Sequence, residues 1–364
     1  MRLSIIRSFL TAALAMVMAG PAAADELHLY SWSDYIGSKA VPAFTSETGT
    51  KVVYDVFDSN DLAETKLLAG KSGYDVVTPN VSPHFARQLI AGVWAPLDKT
   101  RLGNIGNLDA GIMKKLSAID PEGAHGVPWM WGTTGIIFNA QKVKEIMPDA
   151  PVTSWKLLFD PQILSKFKKC GVVMLDDAEQ VLGSVLISMG KQADTDNEAD
   201  LAAAVDVITK IRPFVSKFHS SEYLDGLANG DYCIALGFSG DARVATLRSK
   251  EAKKNFDIQY RIPEQGALFY VDVLAVPKDA PNPARANDFI NVLMRPEIAA
   301  SGATETGFAT ANAEAKKLVP QEITSDPNLY PTPEIMSKLT LPKVHSPKVT
   351  RMWQKAWQKA MGQR

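Results

Sequence analysis

Three acidic residues stand beside aromatic residues at or near the ends of predicted strands: Asp34 with Trp32 and Tyr35, Asp241 with Phe238, and Asp272 with Tyr270. Carboxylates bind ammonium groups through charge-assisted hydrogen bonds. Aromatic faces add cation–π attraction of about 0.5–2 kcal/mol each. The three short stretches contain no Arg or Lys. Together they predict a cleft for a ligand with ammonium ends and a methylene body, although each acid taken singly is equally consistent with a helix N-cap or a surface charge.

The first acid lies in a predicted strand-to-helix loop. Residues 27–31 alternate apolar and polar side chains with the period of a β-strand, and helical spacing resumes at 38–44. Loops at the carboxyl ends of strands carry the ligand sites of α/β sheets. The alternative is that Trp32 and Tyr35 only anchor the loop and Asp34 caps the helix.

Asp272 is the least expected residue of the chain, because it lies inside the otherwise apolar strand 267–276. Tyr270 and Asp272 are two positions apart and therefore lie on one face of that strand. Burying an unpaired carboxylate is costly. We therefore expect Asp272 to meet a cation, an N–H group or water.

Strands alternate with helices along the chain, which predicts βαβ units and a mostly parallel sheet, hence an α/β fold. A length of 364 residues favours two domains. Residues 127–139 are aromatic, then rich in Gly and Thr, then strand-like, which suits a crossover between two lobes. A plain hairpin is the alternative for that stretch. The C-terminal helix, predicted at 349–361, carries Trp353 and Trp357 one turn apart, and we expect both to pack in the core.

The N-terminus has the pattern of a cleavable export signal. Arg2 and Arg7 precede a mostly apolar stretch at 8–20, and Ala22–Ala24 supplies an A-x-A site, which predicts cleavage after Ala24. Removing 1–24 leaves 37 basic and 40 acidic residues, a net charge of −3. That balance argues against nucleic acid as a partner. A periplasmic location follows from the signal.

The chain has two cysteines, Cys170 and Cys233, and an exported protein meets an oxidising compartment. One pairing is available, so we predict a Cys170–Cys233 disulfide. Two buried free thiols are the alternative.

No catalytic signature is present: the sequence lacks H-E-x-x-H, G-x-S-x-G, a P-loop and G-x-G-x-x-G. The five His residues, at 28, 84, 125, 219 and 345, have no metal-ligand spacing. We therefore expect a binding protein without enzymatic activity, metal or cofactor.

Six stretches carry a resemblance to a known family: Leu-His-Leu-Tyr-Ser-Trp-Ser-Asp-Tyr-Ile at 27–36, Lys-Val-Val-Tyr-Asp-Val-Phe-Asp-Ser-Asn at 51–60, Trp-Gly-Thr-Thr-Gly at 131–135, Phe-His-Ser-Ser-Glu-Tyr at 218–223, Leu-Ala-Asn-Gly-Asp at 227–231 and Val-Asp-Val-Leu-Ala-Val-Pro at 271–277. In combination they resemble the periplasmic polyamine-binding proteins of ABC importers, within bacterial extracellular solute-binding protein family 1. The putrescine-binding branch is the most similar. The resemblance runs from about Leu27 to the C-terminus.

The resemblance implies a type II periplasmic-binding-protein fold, with two lobes joined by crossing hinges. We expect the lobes at 26–131 plus 256–308 and at 132–255 plus 309–364. It also implies a polyamine, putrescine or spermidine, as ligand, a monomer, and an inner-membrane ABC permease with its ATPase as partner. Cys170 and Cys233 match the disulfide pair of the putrescine binders.

The resemblance also assigns a ligand set: Trp32, Ser33, Asp34 and Tyr35 in the first loop, and Asp241 and Asp272 as later ammonium-binding acids. Five positions of the set depart from the close putrescine binders: Asn80 replaces Ser, Gln180 replaces Glu, Phe238 replaces Trp, Tyr270 replaces Phe and Phe308 replaces Tyr. The changes keep the aromatic faces but remove one carboxylate and one indole N–H. With these changes, another amine, such as an acylated polyamine or an ω-amino acid, is an alternative ligand. A ligand sensor remains an alternative role, and a secreted amine hydrolase is the least favoured one.

Overall fold

The computed structural model describes residues 25–362. The predicted signal segment, 1–24, and its cleavage site after Ala24 lie outside the described residues. Within 25–362, none of the helices combines the length and the apolar character needed to cross a membrane.

The described part of the chain alternates strands and helices, as the sequence pattern predicts. The strands are β1 Glu26–Trp32, β2 Lys51–Phe57, β3 Val76–Val77, β4 Gly126–Asn139, β5 Val172–Met174, β6 Lys217–Phe218, β7 Ile234–Phe238, β8 Ile258–Arg261, β9 Ala267–Ala275, β10 Ala309–Thr310 and β11 Leu339–Thr340. The α-helices are α1 Ala40–Thr48, α2 Asn60–Leu68, α3 Ala86–Ile90, α4 Ala110–Leu116, α5 Ala140–Ile146, α6 Lys156–Phe159, α7 Pro161–Leu164, α8 Ala178–Ser188, α9 Glu198–Ile211, α10 Tyr223–Asn229, α11 Asp241–Glu251, α12 Pro283–Leu293, α13 Pro296–Thr306, α14 Ala313–Lys316, α15 Gln321–Thr324, α16 Pro333–Met336 and α17 Pro347–Ala360.

The strands form one mixed array in the order β2-β1-β3-β9-β4-β7-β5-β6. On one side β1 is parallel to β2 and β3, and on the other β5 is parallel to β6 and β7. The two central strands, β4 and β9, run antiparallel to each other. The parallel groups arise because helices connect their strands, as βαβ units require.

Strand β4 is the physical link between the two halves. Its first half pairs with β9, and its second half pairs with β7 from Thr134↔Phe238 to Phe138↔Ile234. All fourteen of its residues are buried. The prediction of a crossover therefore describes this segment, and the hairpin alternative is wrong because the strand continues without a turn.

Two separate hydrophobic cores flank this link. The first contains buried residues between 27 and 131 and between 269 and 330, and the second contains buried residues between 136 and 268 together with Trp353 and Ala360. Residues 258–268 thus pack in the second core, because β8 pairs with the far half of β4. Residues 309–330 pack in the first core, because β10 pairs with Trp131 and Met130. The sequence expectation assigned both stretches to the opposite lobes.

The predicted disulfide is confirmed. Cys170 and Cys233 are bonded, with their Cα atoms 5.6 Å apart. Both lie beside strands of the second core, since Val172 is paired with Ile234. The bridge therefore joins two parts of one lobe rather than the two lobes.

Candidate ligand-binding site

Asp272 lies on β9 and is 5% exposed. The Tyr35 hydroxyl donates a 2.7 Å hydrogen bond to one of its carboxylate oxygens, and the Asn80 amide donates a 3.2 Å bond to the other. Burial raises the pKa of Asp272 to about 7, although these two hydrogen bonds oppose the shift. Neutral donors thus satisfy the carboxylate only in part, and burial disfavours its negative charge.

Asp241 is the first residue of α11, three positions beyond the end of β7, and is 8% exposed. The Tyr223 hydroxyl, from α10, donates a hydrogen bond to it. Burial raises its pKa to about 7 as well. Among the ion pairs of residues 25–362, none includes Asp241 or Asp272, so the direct partners of both carboxylates are hydroxyl and amide groups. Attraction to Arg248 lowers the pKa of Asp241 and attraction to His84 lowers that of Asp272, but burial outweighs both. An ammonium group would stabilise each carboxylate, because its positive charge offsets the free-energy cost of burying the negative one.

Four aromatic rings form a continuous set between these acids. The ring centroids of Tyr35 and Phe308 are 5.3 Å apart, those of Phe308 and Tyr270 are 6.4 Å apart, and those of Tyr270 and Phe238 are 5.1 Å apart. All three contacts are edge-to-face, which is the favoured geometry for aromatic pairs. The Phe308 ring also lies so close to Gly240 that a Cβ there would be 2.5 Å from it. The set provides the apolar surface that methylene groups need.

Asp34 differs from the other two acids. Its side chain is 58% exposed, and its carboxylate is 2.5 Å from the guanidinium of Arg248. Arg248 also contacts Asp225 at 2.8 Å. Ser33 donates a 3.2 Å hydrogen bond to Asp34. The absence of Arg and Lys from the loop sequences therefore gave an incomplete view, because α11 brings a cation to Asp34 from more than two hundred residues away.

The remaining predicted residues lie around this group. Trp32 is half-buried and packs against Phe57 at a centroid distance of 4.4 Å. Gln180 is half-buried on the first turn of α8, and its side-chain carbonyl accepts a 2.5 Å hydrogen bond from Thr134. Thr134 is the register partner of Phe238, which places Gln180 next to the aromatic set.

The structure thus divides the predicted residues into two groups. Joined by hydrogen bonds or ring contacts are Tyr35, Asn80, Phe238, Tyr270, Asp272 and Phe308, with Asp241 linked to Phe238 through Tyr223, and at the edge or beside them are Trp32, Ser33, Asp34 and Gln180. Sequence reasoning missed Tyr223, Arg248 and Thr134. Tyr223 and Thr134 stand in two of the stretches that carry the family resemblance, whereas nothing in the spacing of Arg248 marks it.

Comparison with known proteins decides the family. Residues 39–332 match the family described as bacterial extracellular solute-binding protein. The chain is 47% identical to the putrescine-binding periplasmic protein SpuD of Pseudomonas aeruginosa, over 96% of this chain and 97% of that protein. It is 44% identical to the putrescine-binding periplasmic protein PotF of Escherichia coli, over 95% of each chain.

The chain belongs to the bacterial extracellular solute-binding proteins. Among solved structures, a putative spermidine/putrescine ABC transporter protein from Listeria monocytogenes superposes with a TM-score of 0.82 at 31% identity, covering 93% of this chain and 99% of that one. These findings confirm the predicted resemblance and the α/β periplasmic-binding-protein fold. Both of these relatives are named as periplasmic binding proteins.

Proposed function

We propose that this solute-binding protein captures an α,ω-diamine between its two lobes. The observation that carries the proposal is the pair of buried carboxylates, Asp241 and Asp272, which accept hydrogen bonds from neutral donors and take part in none of the ion pairs of residues 25–362. Two such acids match the two ammonium groups of a diamine. The four rings between them suit a short methylene chain.

The charge count favours a dication over a trication. Asp34, the third acid of the ligand set, is already paired with Arg248. It therefore contributes little net charge to the interior, and a ligand with three ammonium groups would leave one without a buried partner. Putrescine, which the names of two relatives specify, fits the count of two.

We further propose that the protein works as a monomer that delivers the ligand to an inner-membrane ABC permease with its ATPase. The names of its relatives, which specify the periplasm and an ABC transporter, support the location and the transport role. The two cores support lobes at 26–131 plus 269–330 and at 136–268 plus 347–360. Closure of these lobes would bring Asp34 of the first against Arg248 of the second. A sensing role uses the same closure and is the alternative.

One observation favours a second ligand class. Gln180 presents a half-buried amide where the putrescine binders have a carboxylate. An amide serves a carbonyl or carboxylate as well as an ammonium group. An acylated polyamine or an ω-amino acid would use it in that way.

A thermal-shift panel on the mature protein tests the proposal. The panel contains putrescine, cadaverine, spermidine, acetylated polyamines, γ-aminobutyrate and δ-aminovalerate. A ligand that binds only the native state raises the melting temperature by mass action. We expect the largest rise with the diamines. A rise confined to an ω-amino acid or an acyl amine would refute the diamine assignment, and turnover of any amine by the pure protein would refute the non-enzymatic role.

The variant Gln180→Glu separates the two ligand classes. It restores a carboxylate at this position and should strengthen diamine binding roughly tenfold at low salt, since one added charge contact is worth on the order of 1–2 kcal/mol. It should weaken binding of any ligand that offers a carboxylate there. Isothermal titration with putrescine and with γ-aminobutyrate measures both effects.

A further inference from the structure

The hydroxyl of Tyr270 is a buried polar group inside the aromatic set. Tyr270 is 6% exposed, and its ring contacts those of Phe308 and Phe238. Within residues 25–362, no donor or acceptor completes a hydrogen bond with this hydroxyl. Buried side-chain polar atoms nearly always have a hydrogen-bond partner. The unpaired hydroxyl is therefore a candidate contact for a ligand.

The sheet places this hydroxyl on the face that carries the ligand residues. Tyr270 and Asp272, two positions apart on β9, project from the same face. Gly132 of β4 is the register partner of Tyr270, and Thr134, two positions further along β4, is the register partner of Phe238. Register partners of antiparallel strands share a face. The five positions therefore line one surface, the floor of the ligand site.

Gly132 provides the space that the hydroxyl occupies. A Cβ at this position would overlap the Tyr270 hydroxyl and would lie 2.5 Å from the Oγ of Ser239. The two hydroxyls are thus neighbours over the backbone of β4, although no hydrogen bond joins them. The Ser239 Oγ accepts a 3.4 Å hydrogen bond from the backbone N–H of Thr133, so its own proton remains a potential donor. We call the hydroxyls of Tyr270 and Ser239 the polar floor.

Tyr270 stands midway between the two buried acids. Hydrogen bonds and ring contacts join one acid to the other in the order Asp272, Tyr35, Phe308, Tyr270, Phe238, Tyr223 and Asp241. A ligand that spans the acids therefore passes the polar floor with the middle of its chain rather than with its ends.

We propose that the protein selects an α,ω-diamine that carries a neutral polar group, such as a hydroxyl, on its methylene chain. The inference rests on the diamine function proposed above, in which Asp241 and Asp272 bind the two ammonium ends. A neutral group is favoured over a third ammonium because both buried acids already have a charge to bind. Burial raises the pKa of Tyr270 well above its ordinary value, although the nearby Ser239 hydroxyl opposes the shift. Tyr270 is therefore a neutral O–H, which both donates to and accepts from a ligand hydroxyl.

A diamine with a plain methylene chain leaves the Tyr270 hydroxyl unpaired when it binds. Leaving a buried polar group unpaired costs free energy, whereas a ligand hydroxyl would satisfy it. Sites built to hydrogen-bond a ligand hydroxyl discriminate against the analogue that lacks it. Tyr270 is thus the residue that sets the preference between two diamines of equal length and charge.

Isothermal titration with putrescine and with each enantiomer of 1,4-diaminobutan-2-ol tests the proposal. The second ligand is putrescine with one added hydroxyl, so the ratio of the two Kd values measures the preference. The wild type should bind one enantiomer at least as tightly as putrescine. Tyr270→Phe removes only the hydroxyl and should shift the ratio toward putrescine by roughly tenfold. The melting temperature of the ligand-free variant should not fall, because the atom removed has no partner in the described part of the chain.

Tyr330→Phe is the matched control. Tyr330 is also buried, but its ring contacts Trp131, which projects from the face of β4 opposite to that of Gly132. This variant should keep the wild-type ratio.

The outcomes separate this inference from the diamine function. If putrescine binds and the ratio in Tyr270→Phe stays within about twofold of the wild type, the selection proposed here is overturned and the diamine function stands. A wild type that prefers putrescine to both enantiomers by more than about threefold also overturns it. If neither diamine binds to the wild type, the diamine function has failed and this inference fails with it.

Discussion

The substitution Asp272→Asn should weaken the ligand complex and at the same time stabilise the ligand-free protein. The variant keeps the size of the side chain and its contacts with Tyr35 and Asn80, since a tyrosine hydroxyl also accepts hydrogen bonds. It removes only the charge. The two effects have opposite signs because the carboxylate is buried and its hydrogen-bond donors, Tyr35 and Asn80, are neutral.

The size of each effect follows from the burial of Asp272. Removing one partner of a buried ion pair costs about 3–5 kcal/mol, which corresponds to a loss of affinity of roughly 100- to 5,000-fold. In the ligand-free protein, a pKa shift from 3.8 to about 7 corresponds to roughly 4 kcal/mol of destabilisation at pH 8. Opening of the lobes hydrates part of the site, so we expect the variant to gain about 1–4 kcal/mol.

The effect of Asp272→Asn on stability depends on pH. A carboxyl whose pKa is raised by folding destabilises the protein progressively as the pH rises from about 4 to about 7. Below that range wild-type Asp272 is protonated and its penalty disappears. The stabilisation by Asp272→Asn should therefore be present at pH 8 and absent near pH 4.

Two assays check this prediction. Titration calorimetry with putrescine at pH 8 gives the affinity, and scanning calorimetry without ligand at pH 8 and pH 4 gives the stability. The control Asp206→Asn removes a charge from an exposed position of α9 and should change neither. A variant that binds putrescine within threefold of the wild type, or that is less stable than the wild type at pH 8, would refute the reasoning.

Three further predictions concern the surroundings of the site. Arg248→Ala should raise the putrescine Kd about two- to fivefold and speed dissociation in stopped-flow measurements, because partly exposed ion pairs such as the one with Asp34 contribute about 0.2–1 kcal/mol; an unchanged dissociation rate would contradict this. Replacing Cys170 and Cys233 together by Ser should lower the free energy of unfolding by about 2–4 kcal/mol in denaturant titrations, with the Kd within twofold of the wild type, since the bridge lies within one lobe. Gly240→Ala should weaken putrescine binding at least tenfold without changing the unfolding midpoint of the ligand-free protein, because the added Cβ would meet the Phe308 ring at 2.5 Å; retention of full affinity would show that the lobes close in another arrangement.

The sequence predicted the local features of the site well. The period-two pattern correctly placed Tyr270 and Asp272 on one strand, and the unusual position of an acid among apolar residues pointed to a partner, which the structure supplies as Tyr35 and Asn80. Such features depend on neighbours a few residues apart. They are therefore readable from spacing alone.

The features that sequence reasoning missed depend on distant segments. Arg248 and Asp34 are separated by 214 positions, and only the packing of α11 against the first lobe brings them together. The lobe boundaries differ for the same reason, because β10 pairs with the first half of strand β4 and β8 with its second half. Hydrophobic periodicity specifies which face of a strand is buried, but it does not specify which strand lies beside it.

The place of β9 in the sheet has a consequence for how the chain folds. This strand lies between β3 and β4, although it follows them by about 130 residues or more in sequence. The first lobe therefore lacks a central strand until more than two thirds of the polypeptide has been synthesised. Pairings between such remote segments slow folding, because a long loop must be ordered before any contact is gained. The first lobe of the nascent chain thus remains incomplete for most of its synthesis. An incompletely folded chain is what a translocation pore requires for threading.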